Sequence, residues 1–331
     1  MYTCAIHWYQ IVHMQNNGYN DIAKHEGEPY MKQGITAING ILVGHWTDEA
    51  AKTGCTAILC PGGAVAGVDV RGAAPGTRET DLLRGYNAVE RIHAVMLCGG
   101  SAYGLDAASG AMQYFEEQGI GVNVGVGVVP IVPAAVIFDL AVGSASVRPD
   151  KAAGYAACTS ASCEGILNGR IGAGTGATVG KTFGPQFASD GGIGSSLIAL
   201  PGGILIGALA VVNAVGDIYD HHTGKLLCAA KKDGAFLTCM SHLGELAQTL
   251  IGTNTTLGII ATNAKLTREE ANKLASIAHD GLAMSIRPVH TAMDGDTIFS
   301  LATGEQAEYP FQALLAAAAE AMALAVEHAF V

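Results

Sequence analysis

The chain has 331 residues, of which 50% are hydrophobic and 14% are charged, so it must bury much apolar surface in a core or in subunit interfaces. Its formal net charge of −11 argues against a nucleic acid or an anionic membrane as the partner. The amino terminus lacks a basic segment followed by an apolar stretch, and Gly, Pro or polar residues interrupt the apolar runs. These features predict a cytoplasmic protein without membrane spans.

The eight cysteines fall at irregular spacings and form no C-x-x-C pair, which predicts buried reduced thiols and no metal site. The glycine-rich stretch 174–182 has threonine at position 175, where a phosphate-binding loop requires glycine. The sequence therefore predicts neither a nucleotide nor another cofactor.

Residues 1–30 are polar and poorly patterned, and we expect a loose extension there. The Asn39-Gly40 pair between two apolar runs predicts a β-hairpin over 35–43. Further strands are expected at 55–60, 68–71, 93–98 and through much of 121–146, and helices at 80–92, at about 102–118 and after Pro149.

The second half begins with a hairpin of strands 195–200 and 204–212, joined by Pro-Gly-Gly. A strand at 255–262 precedes a helix to about residue 279, which begins at the capping box Thr267–Glu270. Paired strands at 284–290 and 297–303 and a helix at 311–328 follow. The mixture favours a layered, mostly antiparallel α/β sheet with helices outside.

Residues 216–252 are polar and weakly periodic, which predicts an exposed segment in front of Asn254-Thr255. On local sequence alone this pair is a turn followed by β-forming residues. An amino-terminal threonine, however, carries its own base, because the pKa of an α-amine is about 7.7–8.0. Our hypothesis is that the Thr255 hydroxyl attacks the Asn254 carbonyl and that the chain is cut between the two residues.

Several motifs occur in one order over about 33–331 and carry a family resemblance. They are Ile35–His45, Arg71–Thr80, Gly99–Leu105, Val211–Gly216, Thr253–Asn263 and Asp294–Phe299. Together they resemble the self-cleaving L-aminopeptidase/D-amide-esterase family, which includes β-aminopeptidases and nylon-oligomer (6-aminohexanoate oligomer) hydrolases. The resemblance implies a four-layer αββα sandwich of the N-terminal-nucleophile type, with mostly antiparallel sheets. It also implies a tetramer of cleaved heterodimers, with 31–254 as the α chain and 255–331 as the β chain.

The resemblance also implies roles for single residues. Thr255 matches the nucleophile, and Tyr103 and Asn213 match positions that hold the oxyanion or orient the nucleophile. Asp294 and Asp296 match a pair near the nucleophile's amine and hydroxyl. Lys181 matches, across gaps, a lysine of the nylon-hydrolase branch, which also uses threonine with two aspartates.

Each of these residues also has a plainer interpretation. Tyr103 could be a packing aromatic, Asn213 a structural amide and Lys181 a surface charge. Asp294 and Asp296 could be turn residues, although carboxylates one residue apart lie on the same side of an extended strand.

The expected function is hydrolysis of an amide through a threonine acyl-enzyme. Short peptides, β-peptides and ω-amino acid oligomers are the expected substrates. Two alternatives stay open at this point. One is an acyltransferase of the ornithine acetyltransferase type that uses the same threonine, and the other is an uncleaved binding protein without enzymatic activity.

Overall fold

The computed structural model describes residues 34–165, 168–245, 254–306 and 309–331. The predicted extension over 1–30 lies outside these ranges, as do residues 246–253, which precede Asn254. Of the helices within the described ranges, none is long and apolar enough to cross a membrane.

Strands supply most of the regular structure in the described ranges. They are β1 Leu42–Asp48, β2 Thr53–Val70, β3 Thr77–Arg78, β4 Arg91–Cys98, β5 Val122–Asn123, β6 Val128–Val129, β7 Ala134–Val136, β8 Thr178–Val179, β9 Ser189–Asp190, β10 Gly192–Leu200, β11 Ile204–Asn213, β12 Asp217–Tyr219, β13 Leu226–Cys228, β14 Ala230–Lys232, β15 Ala235–Leu237, β16 Thr255–Ala264, β17 Ile286–Arg287 and β18 Thr297–Gln306. The α-helices are α1 Ala107–Glu116, α2 Lys151–Thr159, α3 Arg268–Ser285 and α4 Phe311–His328. Short 3-10 turns include Ile35–Ala37, Asp81–Leu83 and Ser101–Asp106.

Nine of the strands form one sheet in the order β10-β11-β16-β18-β2-β4-β7-β3, with β1 also paired to β2. The pairs β16–β18 and β4–β7 are parallel, and the other pairs of this sheet are antiparallel. Strand β2 is long enough to pair with β1 through its first half and with β18 through its second half. It therefore joins two halves of the sheet that face each other.

Three apolar cores separate four layers. The central core lies between the two halves of the sheet and includes Ile58, Leu97, Leu209 and Ile259. A second core packs α3 and α4 on the half that contains β11 and β16, and a third packs α1 and α2 on the half that contains β2 and β4. The layers follow the order α, β, β, α, which confirms the predicted sandwich with mostly antiparallel strands.

Elements with strong local signals lie where the sequence predicted them. They are the strand at 93–98, the helices at 102–118 and after Pro149, the hairpin of β10 and β11, the strands beginning at Thr255 and Thr297, and the helix Phe311–His328. The capping box is also confirmed, because the Glu270 amide donates to Thr267 Oγ1 at 3.2 Å and the Thr267 amide donates to Glu270 Oε2 at 2.8 Å.

Three predictions in the first half were wrong. Residues 35–37 form a 3-10 turn, because Ile35 and Ile38 insert into the central core. The predicted helix at 80–92 is a short 3-10 turn and a loop, whose carbonyls at Asn87 and Val89 accept hydrogen bonds from the Arg268 guanidinium. The span 121–146 contains only the short strands β5, β6 and β7 within its described residues.

Two predictions in the second half also need correction. The expected strand at 284–290 is reduced to β17, because α3 continues to Ser285 with Leu282 and Ser285 buried. Strand β17 pairs with β12 and not with β18. The segment after residue 216 is not wholly exposed, since Asp217 and Ile218 are fully buried in β12.

Close packing of α3 against α4 gives a test of this architecture. A Cβ atom added to Gly281 of α3 would lie 2.2 Å from the Ala319 carbonyl oxygen of α4. We expect Gly281→Ala to lower the melting temperature, because this overlap with backbone outweighs the gain of about 1 kcal/mol in helix propensity. Lys273→Ala, at an exposed position of α3, is the matched control and should change little. Equal melting temperatures for the two variants would contradict the packing described.

Candidate active site

The first residue of β16 lies where three distant parts of the chain meet. Strand β16 pairs antiparallel with β11, so that Thr255 is opposite Asn213, the last residue of β11. On its other side β16 runs parallel to β18, and a bridge pairs Asn254 with Asp294 just before that strand. The strand register alone thus brings Asn213, Thr255 and Asp294 together.

The carbonyl group of Asn254 is the centre of this site. Its oxygen accepts a hydrogen bond from Thr255 Oγ1 at 2.5 Å and another from the Gly295 amide at 2.9 Å. Asn254 is fully buried and Thr255 is 3% exposed. The Asn254–Thr255 peptide bond therefore lies buried, with its carbonyl oxygen held by two hydrogen-bond donors.

The two aspartates flank Gly295 and are both buried, but they make different contacts. Asp296 accepts a hydrogen bond from the Thr256 amide at 2.6 Å, so it fixes the residue that follows Thr255. Asp294 accepts one from the Thr291 amide at 2.6 Å. Burial, and next the nearby charge of Asp296, raise the pKa of Asp294 to about 6.

The segment that begins at Arg71 supports the aspartate turn through its backbone. The Arg71 amide donates to the Asp296 carbonyl at 3.0 Å, and the Ala74 amide donates to the Asp294 carbonyl at 2.9 Å. A Cβ atom on Gly72 would lie 2.4 Å from both the Asp294 oxygen and the Asp296 nitrogen, so only glycine allows this approach.

Lys181 is buried beside Asn213, which makes the surface-charge interpretation wrong. Its Nζ atom donates to the backbone oxygen of Asn213 at 3.0 Å and to the side-chain oxygen at 2.9 Å. Burial lowers the pKa of Lys181 to about 7, although the charges of Asp294 and Asp296 act to raise it. The site therefore holds a lysine and a carboxyl group that both titrate near neutral pH, as catalytic groups often do.

Sequence reasoning missed His290 as well as the backbone amide of Gly295. The His290 Nδ1 atom lies 2.7 Å from Asp296 Oδ2, and the His290 amide donates to the same oxygen at 3.2 Å. Each oxygen of Asp296 is thus held by a hydrogen-bond donor. No motif signals these contacts, because they depend on where the turn places its backbone.

Tyr103 lies apart from this buried cluster. Tyr103 is 63% exposed, and the Arg148 guanidinium lies over its ring, with the guanidinium carbon 3.9 Å from the ring centre. Within the described residues it makes no hydrogen bond to Thr255 or Asn254, so its assignment to the oxyanion stays a prediction.

The fold is the one found in the N-terminal-nucleophile hydrolases. The L-aminopeptidase D-Ala-esterase/amidase from Ochrobactrum anthropi, described as a variant of that fold, is similar with a TM-score of 0.68 at 18% identity, over 91% of this chain and 88% of that one. A β-aminopeptidase from Burkholderia sp. matches with a TM-score of 0.66 at 20% identity, over 92% and 88% of the two chains.

The family model of peptidase family S58 matches residues 33–331, and the chain belongs to this family. An uncharacterized aminopeptidase of Mycobacterium bovis is 44% identical over 296 residues, which are 83% of each protein. A 6-aminohexanoate-oligomer endohydrolase of Kocuria sp. is 34% identical over 272 residues, or 80% of this chain and 74% of that protein. The chain is therefore an enzyme that hydrolyses amide bonds, and the non-enzymatic alternative is excluded.

Opposite changes in the pKa of Asp294 test the electrostatics of the site. Asp296→Asn removes a like charge and should lower this pKa below about 6, whereas Lys181→Met removes an opposite charge and should raise it. Carbon NMR of aspartate-labelled protein during a pH titration measures both shifts. Shifts of the same sign in the two variants would contradict the arrangement described.

Proposed function

We propose that the chain is an autoproteolytic N-terminal-nucleophile amidohydrolase with Thr255 as its nucleophile. The proposal rests on the hydrogen bond from Thr255 Oγ1 to the carbonyl oxygen of Asn254. The same oxygen also accepts a hydrogen bond from the Gly295 amide. A hydroxyl, a polarised carbonyl and buried acid–base groups meet at one peptide bond. This is the set that an intramolecular acyl transfer requires.

Self-cleavage begins when Thr255 Oγ1 attacks the carbonyl carbon of Asn254 and Asp294 takes the hydroxyl proton. The Gly295 amide stabilises the negative charge that develops on the carbonyl oxygen. The carbon–nitrogen bond breaks, the Thr255 nitrogen leaves with the returned proton, and an ester joins Asn254 to Thr255 Oγ1. Water then hydrolyses the ester, which yields the Asn254 carboxylate and a free amine and hydroxyl on Thr255.

The same groups serve an external amide after the cut. The new α-amine acts as the base for its own hydroxyl, and Asn213 and Lys181 hold this end of the strand through the hydrogen bonds between them. We place Tyr103 at the oxyanion of the bound substrate on the resemblance alone. Attack on the substrate carbonyl gives an acyl-threonine and releases the amine, and water regenerates the enzyme.

Short peptides, β-peptides or ω-amino acid oligomers are the proposed substrates. The names of relatives with 44% and 34% identity, an aminopeptidase and a 6-aminohexanoate-oligomer endohydrolase, support an amide substrate and water as the acyl acceptor. The aspartate pair with threonine favours the oligomer-hydrolase type.

The proposed mature enzyme consists of two fragments, 31–254 and 255–331, as a cytoplasmic tetramer of cleaved heterodimers. The hydrophobic share of 50% supports an oligomer, because subunit interfaces would cover apolar surface. Strand β16 and both helices α3 and α4 belong to the smaller fragment, so it remains embedded in the fold after cleavage.

Replacement of Thr255 tests its assignment as the nucleophile, and the same replacement at the neighbouring Thr256 serves as the control. Thr255→Ala should abolish both self-cleavage and hydrolysis, because no hydroxyl remains beside the Asn254 carbonyl. Thr256→Ala is the matched control: its hydroxyl is buried without a hydrogen-bond partner among the described residues, and its backbone amide still reaches Asp296. We expect this variant to be cut and active on a gel and in an amide-hydrolysis assay. Cleavage that survives in Thr255→Ala would refute the assignment.

The rate of self-cleavage should depend on the ionisation of Asp294. Its carboxylate accepts the proton above a pKa of about 6, so the rate should fall as the pH is lowered through that value. Asp294→Asn should be slow at every pH. The measurement is the rate of appearance of the small fragment in freshly made precursor between pH 4.5 and 8. A rate that does not change between pH 5 and 7 would speak against Asp294 as the base.

A further inference from the structure

Four ionisable side chains meet between α4 and the turn that follows β12. His221 and His222 occupy the turn after β12, and Glu320 and Glu327 lie on α4. The Nε2 atom of His221 lies 3.1 Å from Glu320 Oε2, and the Nε2 atom of His222 lies 3.0 Å from Glu320 Oε1. Both imidazoles therefore lie within hydrogen-bonding distance of the Glu320 carboxylate.

The spacing of these atoms is that of metal ligands. One ligand atom from each of His221, His222 and Glu320 lies within 4.8 Å of the others. Around tetrahedral zinc, with bonds of about 2.0–2.1 Å, neighbouring ligand atoms are about 3.4 Å apart. Binding would require rotation of the exposed His222 and half-buried Glu320 side chains to bring the three atoms to that separation. Two histidines with one glutamate form a known zinc ligand set.

Glu327 supplies the second contact that metal-binding histidines usually make. Its Oε1 atom lies 2.5 Å from His221 Nδ1, and it also accepts the His221 amide at 2.8 Å and Ser285 Oγ at 2.9 Å. Glu327 is only 7% exposed, so its orientation is fixed by these three donors. A proton held on Nδ1 leaves Nε2 of His221 as the ligand atom, which is the carboxylate–histidine–metal arrangement.

A metal-free ion cluster is the competing interpretation. Burial by itself lowers the pKa of His221, but hydrogen bonds to Glu327 and Glu320 outweigh it and raise this pKa overall. A protonated His221 would then bridge two carboxylates. His222, with a side chain that is 64% exposed, stacks on the His221 ring with the ring centres 3.9 Å apart and points its Nε2 atom at the Glu320 carboxylate. A bridge from His221 to two carboxylates does not require this second imidazole at the same carboxylate.

We propose that His221, His222 and Glu320 form a binding site for a divalent transition metal of the zinc type. Glu327 orients His221, and water completes the coordination. The spacing of cysteines gave no sign of this site, because its ligands are two adjacent histidines and a helix residue 98 positions away from the second of them (320 − 222).

The position of the site gives it a structural role that depends on the proposed self-cleavage. His221 and His222 precede residue 254, whereas Ser285, Glu320 and Glu327 follow residue 255. A bound metal would join the large fragment to the small one through the turn that follows β12. Metal binding itself requires no cleavage, so it can be tested in the uncut Thr255→Ala chain.

Titration of chelator-treated protein with zinc chloride in a calorimeter tests the proposal. All samples carry Cys163→Ser, because an exposed thiol competes for zinc. We expect one zinc per chain in both the wild-type and the Thr255→Ala background, with a melting temperature raised by a few degrees. Cobalt(II) should give the intense visible absorption of a tetrahedral site.

Variants decide whether the metal lies at this cluster. His222→Ala and Glu320→Gln should weaken zinc binding at least tenfold, and Glu327→Gln should weaken it about 10–100-fold while leaving all three ligands in place. Glu116→Gln, an exposed carboxylate on α1, is the matched control and should bind as the parent does. Equal affinity in His222→Ala, Glu320→Gln and the parent, or no saturable zinc uptake at micromolar concentration, would overturn the proposal. Both outcomes are independent of whether the Asn254–Thr255 bond is cut.

Discussion

The register of strand β16 between β11 and β18 is the constraint on which the site depends. It sets Thr255 opposite Asn213 and Asn254 beside Asp294, so groups from three separate parts of the chain meet at one peptide bond. A shift by one residue would turn every side chain of β16 to the opposite face, so that each would have to repack in the other apolar core. The buried cores on both faces of this strand therefore fix the position of Thr255 as firmly as they fix the fold.

Burial shifts the pKa values of the charged groups in the site, and it also makes those charges unfavourable unless they are compensated. Lys181, Asp294 and Asp296 are at most 7% exposed, and such charges are tolerated only where hydrogen bonds and opposite charges compensate them. The Thr256, Thr291 and His290 amides supply those bonds to the aspartates. Because burial moves the pKa of Lys181 to about 7 and that of Asp294 to about 6, both groups can exchange protons near neutrality.

Much of this architecture could be predicted from the sequence, and the misses have physical causes. The hairpin of β10 and β11 and the cap of α3 carry local signals, whereas 80–92 and 284–290 were misjudged because Arg268 and the contact with α4 decide their structure. Resemblance supplied the candidate residues, and the strand register shows why five of them cluster. The roles of Gly72, Gly295 and His290 depend on backbone positions in the folded protein, which no spacing in the sequence reveals.

The central claim is that the Asn254–Thr255 bond separates an inert precursor from a working amidohydrolase. Denaturing mass spectrometry of the purified wild-type protein tests it most directly. The account predicts two fragments, the smaller with the mass of residues 255–331 and with threonine as its first residue. A single intact chain that persists through long incubation at neutral pH, or a cut at any other bond, would contradict it.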